Sequence, residues 1–185
     1  DILGYDIKKI MFSGPEELLR QTIHTQPAMY IVSFIIGKLL IQNGFNPSCA
    51  AGHSLGEFSA FSIAGAFSYE NGLKLVQARA EAMYEAGQNR PGTMAAVVGL
   101  EEIKIEEICS NFSNGVACIA NYNSSSQVVI SGDVDSIKKV SPQLLDAGAM
   151  KVIPLNVSGA FHSPLMSTAK EKLDEYLRSI EIANT

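Results

Sequence analysis

The chain of 185 residues is long enough for one globular domain that carries a small insertion, and 46% of its residues are hydrophobic. Its formal net charge of -5 argues against a nucleic-acid or anionic-membrane surface, because no excess of basic residues is present to neutralise phosphates. Three cysteines, Cys49, Cys109 and Cys118, form no C-x-x-C pair. We expect them to be reduced core residues of a cytoplasmic protein, with no metal site.

The first long apolar segment predicts a helix in the middle of the fold. Thr25-Gln26-Pro27 supplies a cap and a proline for its first turn, and Gly44 ends it. The segment is apolar nearly all round, as buried helices are. Its longest apolar run, residues 28–41, is too short to cross a bilayer and contains Lys38, so we expect no membrane span.

A G-x-S-x-G pattern follows at residues 52–57, Gly-His-Ser-Leu-Gly-Glu. The preceding Ser48–Ala51 segment predicts a short buried strand, and residues 58–64 predict a helix. In a strand-turn-helix context, the glycines permit a strained turn that projects the Ser54 hydroxyl, with the Leu55 amide as an oxyanion donor. Ser54 is therefore a candidate nucleophile. The alternative is a helix cap, with Glu57 completing a capping box.

The next helix, predicted from Ser68 to about Gly87, directs a cation inward. Lys74, Glu81 and Glu85 share its solvated face, whereas Arg79 falls on the apolar side. A buried guanidinium requires an anionic partner. Helix geometry alone favours a structural pair with a protein carboxylate, and a substrate carboxylate is the alternative.

From Thr93 onward, the residue pattern predicts the succession β-α-β-β-α-β, which is the ferredoxin-like unit. The predicted strands are residues 94–100, 116–121, 127–131 and 150–155, and the predicted helices are 101–112 and 135–147, the second capped by Asp135. We therefore expect an α/β fold. Residues 1–92 and 157–185 would form a large hydrolase-like subdomain with a parallel sheet and the nucleophile elbow, and residues 93–156 an inserted ferredoxin-like subdomain.

A loop before the last helix contains His162, and Pro164 suits the first helical position. Imidazole titrates near neutrality, so His162 is the candidate base for Ser54, although a lone loop histidine is often without a catalytic role. His53 adjoins Ser54 and is the poorer base; we expect it to help hold the turn. The final helix is expected to turn these residues inward: Leu165, Ala169, Leu173, Tyr176 and Ile180.

Three stretches together closely resemble the malonyl-CoA:acyl carrier protein transacylases and the acyltransferase domains of polyketide synthases. They are residues 52–57, Arg79, and Gly-Ala-Phe-His at residues 159–162. Thr-Gln-Pro-Ala at residues 25–28, Gly-Thr-Met-Ala-Ala at residues 92–96 and the segment 121–132 are similar to that family too. The resemblance covers nearly the whole chain, and it is far more specific than the pentapeptide alone.

The resemblance implies that Ser54 takes a malonyl group from malonyl-CoA and passes it to the phosphopantetheine thiol of an acyl carrier protein. His162 would be its base, and Arg79 would bind the free carboxylate of malonate, which reverses the preference for a structural pair. Arg79, Phe161 and His53 are the expected substrate-binding residues. No bound cofactor is expected. The protein would be a monomer or a module of a larger synthase.

The family also has a glycine-rich stretch with a glutamine before these residues and a further glutamine after them. We therefore expect the chain, from Asp1 to Thr185, to be a fragment with weak activity or none on its own. An acidic carrier protein would need a local basic patch, and the candidates are Lys138, Lys139, Lys170 and Lys172.

Two other functions compete with acyl transfer. The first is a hydrolase that releases the acyl group to water. An α/β-hydrolase would need an acid between Ser54 and His162, and the candidates Asp133 and Asp135 lie inside the apparent insertion, where Asp135 is already expected to cap a helix. A patatin-like lipase would need an Asp-Gly-Gly or Asp-Gly-Ala, which the sequence lacks. Editing hydrolases related to the transacylases tend to lack the arginine, and Arg79 is present. The second is a non-catalytic docking domain, which the presence of both Ser54 and His162 disfavours.

Overall fold

The computed structural model describes residues 2–183. These residues divide into two compact units, one within Asp1–Ala82 and Glu171–Thr185 and the other Met83–Lys170. The chain is of the α/β class. Its α-helices are α1 (Ile7–Ser13), α2 (Glu16–Leu19), α3 (Thr22–Gln42), α4 (Gly56–Ala64), α5 (Tyr69–Asn89), α6 (Glu102–Ser110), α7 (Val134–Asp146) and α8 (Ser167–Arg178). Its strands are β1 (Gly92–Val98), β2 (Ala117–Ser124), β3 (Gln127–Asp133) and β4 (Lys151–Pro154), and Pro164–Met166 is a 3-10 helix. None of the helices described has the length and apolarity needed to cross a membrane.

Helix α3 begins at Thr22, so the start predicted at Thr25 is wrong. Pro27 lies inside the helix, where it has no N–H to donate to the carbonyl of Ile23 one turn earlier. The hydroxyl of Tyr5 donates to that carbonyl instead, at 3.1 Å. A hydrogen bond from another segment therefore lets the helix continue past the proline.

The first unit is organised around Tyr30 of α3, which is fully buried. Its hydroxyl lies 2.6 Å from Ser62 Oγ on α4 and donates to the carbonyl of Tyr69 on α5 at 3.0 Å. Gly72 of α5 lies so near that a Cβ there would come within 2.1 Å of the Tyr30 hydroxyl oxygen. The three helices thus meet at one hydrogen-bonded point where a side chain on α5 has no room.

One side of α3 is exposed, which contradicts the prediction that this helix lies in the middle of the fold. Its apolar residues there are 39–53% exposed. They are Met29, Val32, Ile35, Ile36, Leu39 and Leu40. An apolar helix is buried only where other elements cover each side of it. Within its own unit, α1, α2 and α4 pack on α3 and Tyr30 contacts α5, but the described residues leave this side exposed.

The predicted parallel sheet is not formed by the described residues. Within residues 2–183 the one sheet is a four-stranded antiparallel sheet in the second unit, and Ser48–Ala51 is exposed irregular chain, not a buried strand. A strand needs a neighbour for its backbone hydrogen bonds, and no other part of the first unit that is described supplies one. The prediction that Cys49 is a core residue is wrong for the same reason, since this cysteine is exposed.

The second unit contains the antiparallel sheet, with strand order β2-β3-β1-β4. Its strands and helices follow one another in the predicted order, β-α-β-β-α-β. The compact unit extends beyond residues 93–156 at both ends, and the predicted domain bounds remain a prediction.

The two faces of this sheet have separate cores, because successive side chains of a strand point to opposite faces. Ala95 and Val97 of β1 pack with Ile130 of β3 and with residues of α6 and α7. Met94 and Ala96 belong to the other core, which also contains Val129, Leu155, Val157 and Phe161. The second core therefore holds the segment that leads into His162.

Two local predictions in the second half of the chain are wrong. Asp133, not Asp135, occupies the N-cap position of α7, and its carboxylate accepts a hydrogen bond from the Val116 amide at 2.6 Å. Tyr176 is 50% exposed, whereas Leu177 packs beside Ala66, Phe67 and Leu75. The inward residues here are Leu173 and Leu177 of α8 and Ile180, which lies beyond the end of that helix at Arg178.

Two isoleucines on α6 provide a matched test of the first of these cores. Ile105 is 0% exposed and Ile103 is 64% exposed. Replacing Ile105 with alanine should lower the free energy of unfolding by about 2–5 kcal/mol, through lost burial and a residual cavity. Ile103→Ala should change it by less than about 0.5 kcal/mol. Denaturant unfolding of the two variants measures the difference, and equal effects would contradict the described packing.

Candidate functional site

The G-x-S-x-G segment forms a sharp turn that ends at the start of α4. Ser54 has a φ of 53°, in the left-handed region that non-glycine residues rarely occupy. The Gly56 amide donates to the His53 carbonyl at 2.9 Å, and the Glu57 amide donates to the Ser54 carbonyl at 3.3 Å. The strained turn predicted from the sequence is therefore present, and Ser54 lies at its corner.

Gly52 is the glycine that this turn requires. A Cβ at position 52 would lie 1.8 Å from the carbonyl carbon of Gly56, whereas a Cβ at Gly56 would meet no atom within 4 Å. The close approach of the turn to α4 therefore depends on Gly52. The sequence predicted the same role for Gly56, but no close contact there requires a glycine.

Leu55 lies immediately before α4, where backbone amides have no partner within the helix. No backbone carbonyl in the described part of the chain accepts a hydrogen bond from the Leu55 amide. Its side chain packs in the core around Tyr30. The amide is thus held in place and is able to donate to an oxygen on a group attached to Ser54.

Arg79 of α5 contacts Ser54 directly. Its Nη2 donates to Ser54 Oγ at 3.0 Å, and its Nη1 donates to Oε1 of Gln26 on α3. Arg79 is 8% exposed, and its guanidinium lies 5.6 Å from the centre of the Phe58 ring. The inward direction predicted from helix periodicity is confirmed, and the cation lies beside the candidate nucleophile.

The charge of Arg79 has no carboxylate partner among residues 2–183, because no Asp or Glu there forms an ion pair with it. Burial lowers the pKa of the Arg79 guanidinium below its ordinary value, and the charge of Glu57 opposes this shift. The structural ion pair favoured by helix geometry alone is therefore wrong for the described chain. A guanidinium in this setting can bind an anionic ligand.

The turn leaves His53 exposed, and its contribution to the turn is made by its backbone carbonyl. No contact places the His53 ring at Ser54 or Arg79 among the interactions described here, so its role in substrate binding remains a prediction.

His162 and Phe161 belong to the second unit. His162 is exposed, has a φ of 59°, and stands just before the 3-10 helix. The next residue, Ser163, anchors this loop, because its hydroxyl donates to the Ala160 carbonyl at 2.7 Å and accepts from the Leu165 amide. Ser54 and His162 are the non-glycine residues with positive φ in the described part of the chain. Such strain tends to occur at functional sites.

Gln26 is the site residue to which sequence reasoning gave no role. It is 6% exposed and hydrogen-bonded both to Arg79 and to Thr22. The signal for it was a polar residue in a segment apolar nearly all round, within Thr-Gln-Pro-Ala. Because this stretch was interpreted as a helix start, Gln26 was not recognised as a residue one full turn inside α3.

Both aspartates considered for a hydrolytic triad lie at the start of α7. Asp133 accepts the Val116 amide at the end of β3, and Asp135 lies in the first turn of α7. Residues 2–183 contain no group of three or more His, Cys, Asp or Glu side chains able to hold a metal ion.

Comparisons with known proteins give one consistent result. The sequence profile described as acyl transferase domain matches residues 1–184. The chain is 41% identical over 187 residues to the polyketide biosynthesis malonyl CoA-acyl carrier protein transacylase BaeC of Bacillus velezensis. It is 37% identical over 180 residues to the malonyl CoA-acyl carrier protein transacylase of Escherichia coli K12. These matches cover 99% and 96% of this chain but only 63% and 58% of the two relatives.

Solved structures give the same result. A chain of the complex described as a type II PKS acyl-carrier protein with its malonyl-transacylase matches with a TM-score of 0.94 and 36% identity. That match covers 99% of this chain and 60% of the other. The malonyl CoA-acyl carrier protein transacylase of Coxiella burnetii matches with a TM-score of 0.93 and 37% identity, over 98% of this chain and 58% of that one.

The turn gives a test with a matched control. Gly52→Ala should lower the free energy of unfolding by about 1–3 kcal/mol, because the added Cβ overlaps the backbone of α4. It should also slow the reaction of Ser54 with a fluorophosphonate probe. Gly56→Ala, which adds the same atom in open space, should leave both quantities close to the wild-type values. Thermal unfolding and mass-spectrometric labelling check this, and a stable, reactive Gly52→Ala protein would contradict the described turn.

Proposed function

The chain belongs to the acyl transferase domain family, and on that premise we propose that it transfers a malonyl group from malonyl-CoA to an acyl carrier protein. The malonyl group would be held as an ester on Ser54 before it passes to the phosphopantetheine thiol of the carrier. The transacylase names of the relatives support this proposal. A solved relative is described as bound to an acyl-carrier protein, which supports the choice of partner.

The observation that carries the proposal is the Arg79 guanidinium, which is buried, 3.0 Å from Ser54 Oγ, and without an ion pair among the described residues. In a malonyl ester, the free carboxylate carbon lies two bonds of about 1.5 Å beyond the carbonyl carbon. A cation that contacts Oγ is therefore within reach of that carboxylate. An acetyl ester has no free carboxylate to bind this cation.

The proposed reaction has two half-reactions. In the first, Ser54 Oγ attacks the thioester carbonyl while His162 takes the serine proton, and the Leu55 amide donates to the oxyanion. The carbon–sulfur bond breaks, and the coenzyme A thiolate receives the proton from His162. In the second, the carrier thiol gives its proton to His162 and attacks the ester. The carbon–oxygen bond then breaks, and the proton returns to Ser54. Phe161, which packs on the sheet, would form a wall of the acyl site.

Hydrolysis would require water in place of the carrier thiol. A hydrolase of the α/β class would also need a third triad acid, and Asp133 is already bonded to the Val116 amide. The described residues therefore favour transfer over hydrolysis. A docking role without catalysis would leave the strained turn at Ser54 and the adjacent cation without a use.

Residues 93–156 would be a ferredoxin-like insertion in the larger α/β subdomain of residues 1–92 and 157–185. The protein would be cytoplasmic, where reduced cysteines such as buried Cys109 persist; burial raises the pKa of its thiol to about 11. Candidate carrier contacts remain exposed lysines of both units: Lys138, Lys139, Lys170 and Lys172.

Covalent loading tests the proposed function. Incubation of the complete protein with labelled malonyl-CoA should give one malonyl adduct at Ser54, detected by intact mass and peptide mapping. The adduct should be absent from Ser54→Ala, and His162→Ala should form it roughly 10²–10⁴-fold more slowly. A wild-type protein that never forms the adduct, or an adduct that persists in Ser54→Ala, would refute the proposal.

Selectivity tests the role of Arg79. Arg79→Ala should reduce the rate of malonyl loading by about 10- to 100-fold, which corresponds to a charged hydrogen-bond interaction of roughly 1.5–3 kcal/mol. Acetyl loading should fall much less, because acetate has no carboxylate left to bind. The control is Arg90→Ala, which changes an exposed arginine just after the end of α5 and should alter neither rate. Equal losses of malonyl and acetyl loading in Arg79→Ala would contradict the carboxylate role.

A further inference from the structure

We propose that Gln26 is a positioning residue that fixes the orientation of the Arg79 guanidinium and so sets the preference for an acyl group that carries a free carboxylate. This inference rests on the proposed function and adds a residue to it. Gln26 would act through Arg79, without touching the reacting carbonyl.

The hydrogen bonds determine which way the Gln26 amide faces. Arginine can only donate, so the group that meets Arg79 Nη1 must be the amide oxygen. The amide nitrogen then faces Thr22 and donates to its Oγ1 at 2.8 Å. Thr22 and Gln26 are 8% and 6% exposed, so this chain of bonds is shielded from water. An amide flip would place two donors against each other.

The guanidinium is held at both of its terminal nitrogens. Gln26 binds Nη1, and Ser54 Oγ accepts from Nη2. Two contacts on a rigid planar group fix the plane as well as the position. A carboxylate binds arginine best through two parallel hydrogen bonds, which makes its affinity depend on that plane.

The part of helix α3 that carries Gln26 is held in place by hydrogen bonds to neighbouring helices. Because the helix begins at Thr22, Thr22 and Gln26 lie one turn apart on the same face. One turn further on, Tyr30 ties this part of α3 to α4 and α5 through its bonds to Ser62 and the Tyr69 carbonyl. The amide that orients Arg79 is therefore anchored to the two helices that carry Ser62 and Arg79.

A neutral amide has an advantage over a carboxylate at this position. Glutamate at position 26 would also accept from Nη1, but its charge would neutralise the guanidinium in a buried site. The substrate carboxylate would then have to compete with an internal ion pair. Glutamine orients the cation and leaves its positive charge for the ligand.

Two substitutions at Gln26 separate orientation from charge. Gln26→Leu removes the acceptor and should raise the KM for malonyl-CoA loading by about 10-fold, because the guanidinium is no longer held in the binding plane. Gln26→Glu keeps the acceptor but adds a competing charge, and malonyl loading should fall on the order of 10²-fold. Acetyl loading should change by less than about 3-fold in both variants. Gln42→Glu, at an exposed position of the same helix, is the matched control.

Equal losses of malonyl and acetyl loading in the two variants would show that Gln26 only stabilises the fold, and unchanged malonyl loading would show that it does not position Arg79. Either result overturns the inference.

A second measurement does not depend on catalysis. In the nitrogen-15 NMR spectrum of the complete protein, the two Nη groups of Arg79 should give separate signals, because their contacts hinder rotation of the guanidinium. Gln26→Leu should merge these signals, whereas Gln26→Glu should keep them apart. If the wild-type protein forms no malonyl adduct, the proposed function fails while this spectrum still decides the positioning role. Signals that stay separate in Gln26→Leu would overturn that role.

Discussion

The hydrogen bond from Arg79 Nη2 to Ser54 Oγ is the contact on which the rest of the site depends. It requires a serine at the corner of a strained turn, a helix that directs an arginine inward, and a second helix that supplies a neutral acceptor for the other nitrogen. Burial opposes the charge of the guanidinium and lowers the pKa of Arg79. The charge of Glu57 offsets part of that cost, but no described carboxylate forms an ion pair with Arg79. A guanidinium in this setting can bind an anionic ligand.

Strain is concentrated at the two residues proposed to exchange a proton. Within residues 2–183, Ser54 and His162 are the non-glycine residues with positive φ, and each stands immediately before a helical segment. Different contacts hold the two segments in place. The absence of a side chain at Gly52 permits the first turn, and the side chain of Ser163 closes the second loop. Each unit therefore places one of the two proposed catalytic residues in a loop whose conformation depends on contacts within that unit.

The errors in the sequence-based predictions share one cause. Apolar patterns show which surfaces avoid water, but they do not show which element covers them. Ser48–Ala51 has the composition of a buried strand, yet it is exposed and forms one wall of an open groove of about 730 Å³ beside α4. Helix α3 is apolar all round, yet one side of it is about half exposed. The order of strands and helices after Thr93 was predicted correctly because the hairpin and both connecting helices are contiguous in the chain.

Several features of this protein follow from short stretches of its sequence. The amino-acid sequence alone identified the turn at Ser54, the inward face of Arg79, the order of strands and helices after Thr93 and the family resemblance, because each depends on residues close together in the chain. The tertiary structure decided that the partner of Arg79 is the amide of Gln26 and not a carboxylate. Gln26 and Arg79 are 53 positions apart, and their contact arises only when α3 and α5 pack together. No helical or strand period relates residues at that separation, so only the fold could bring them together.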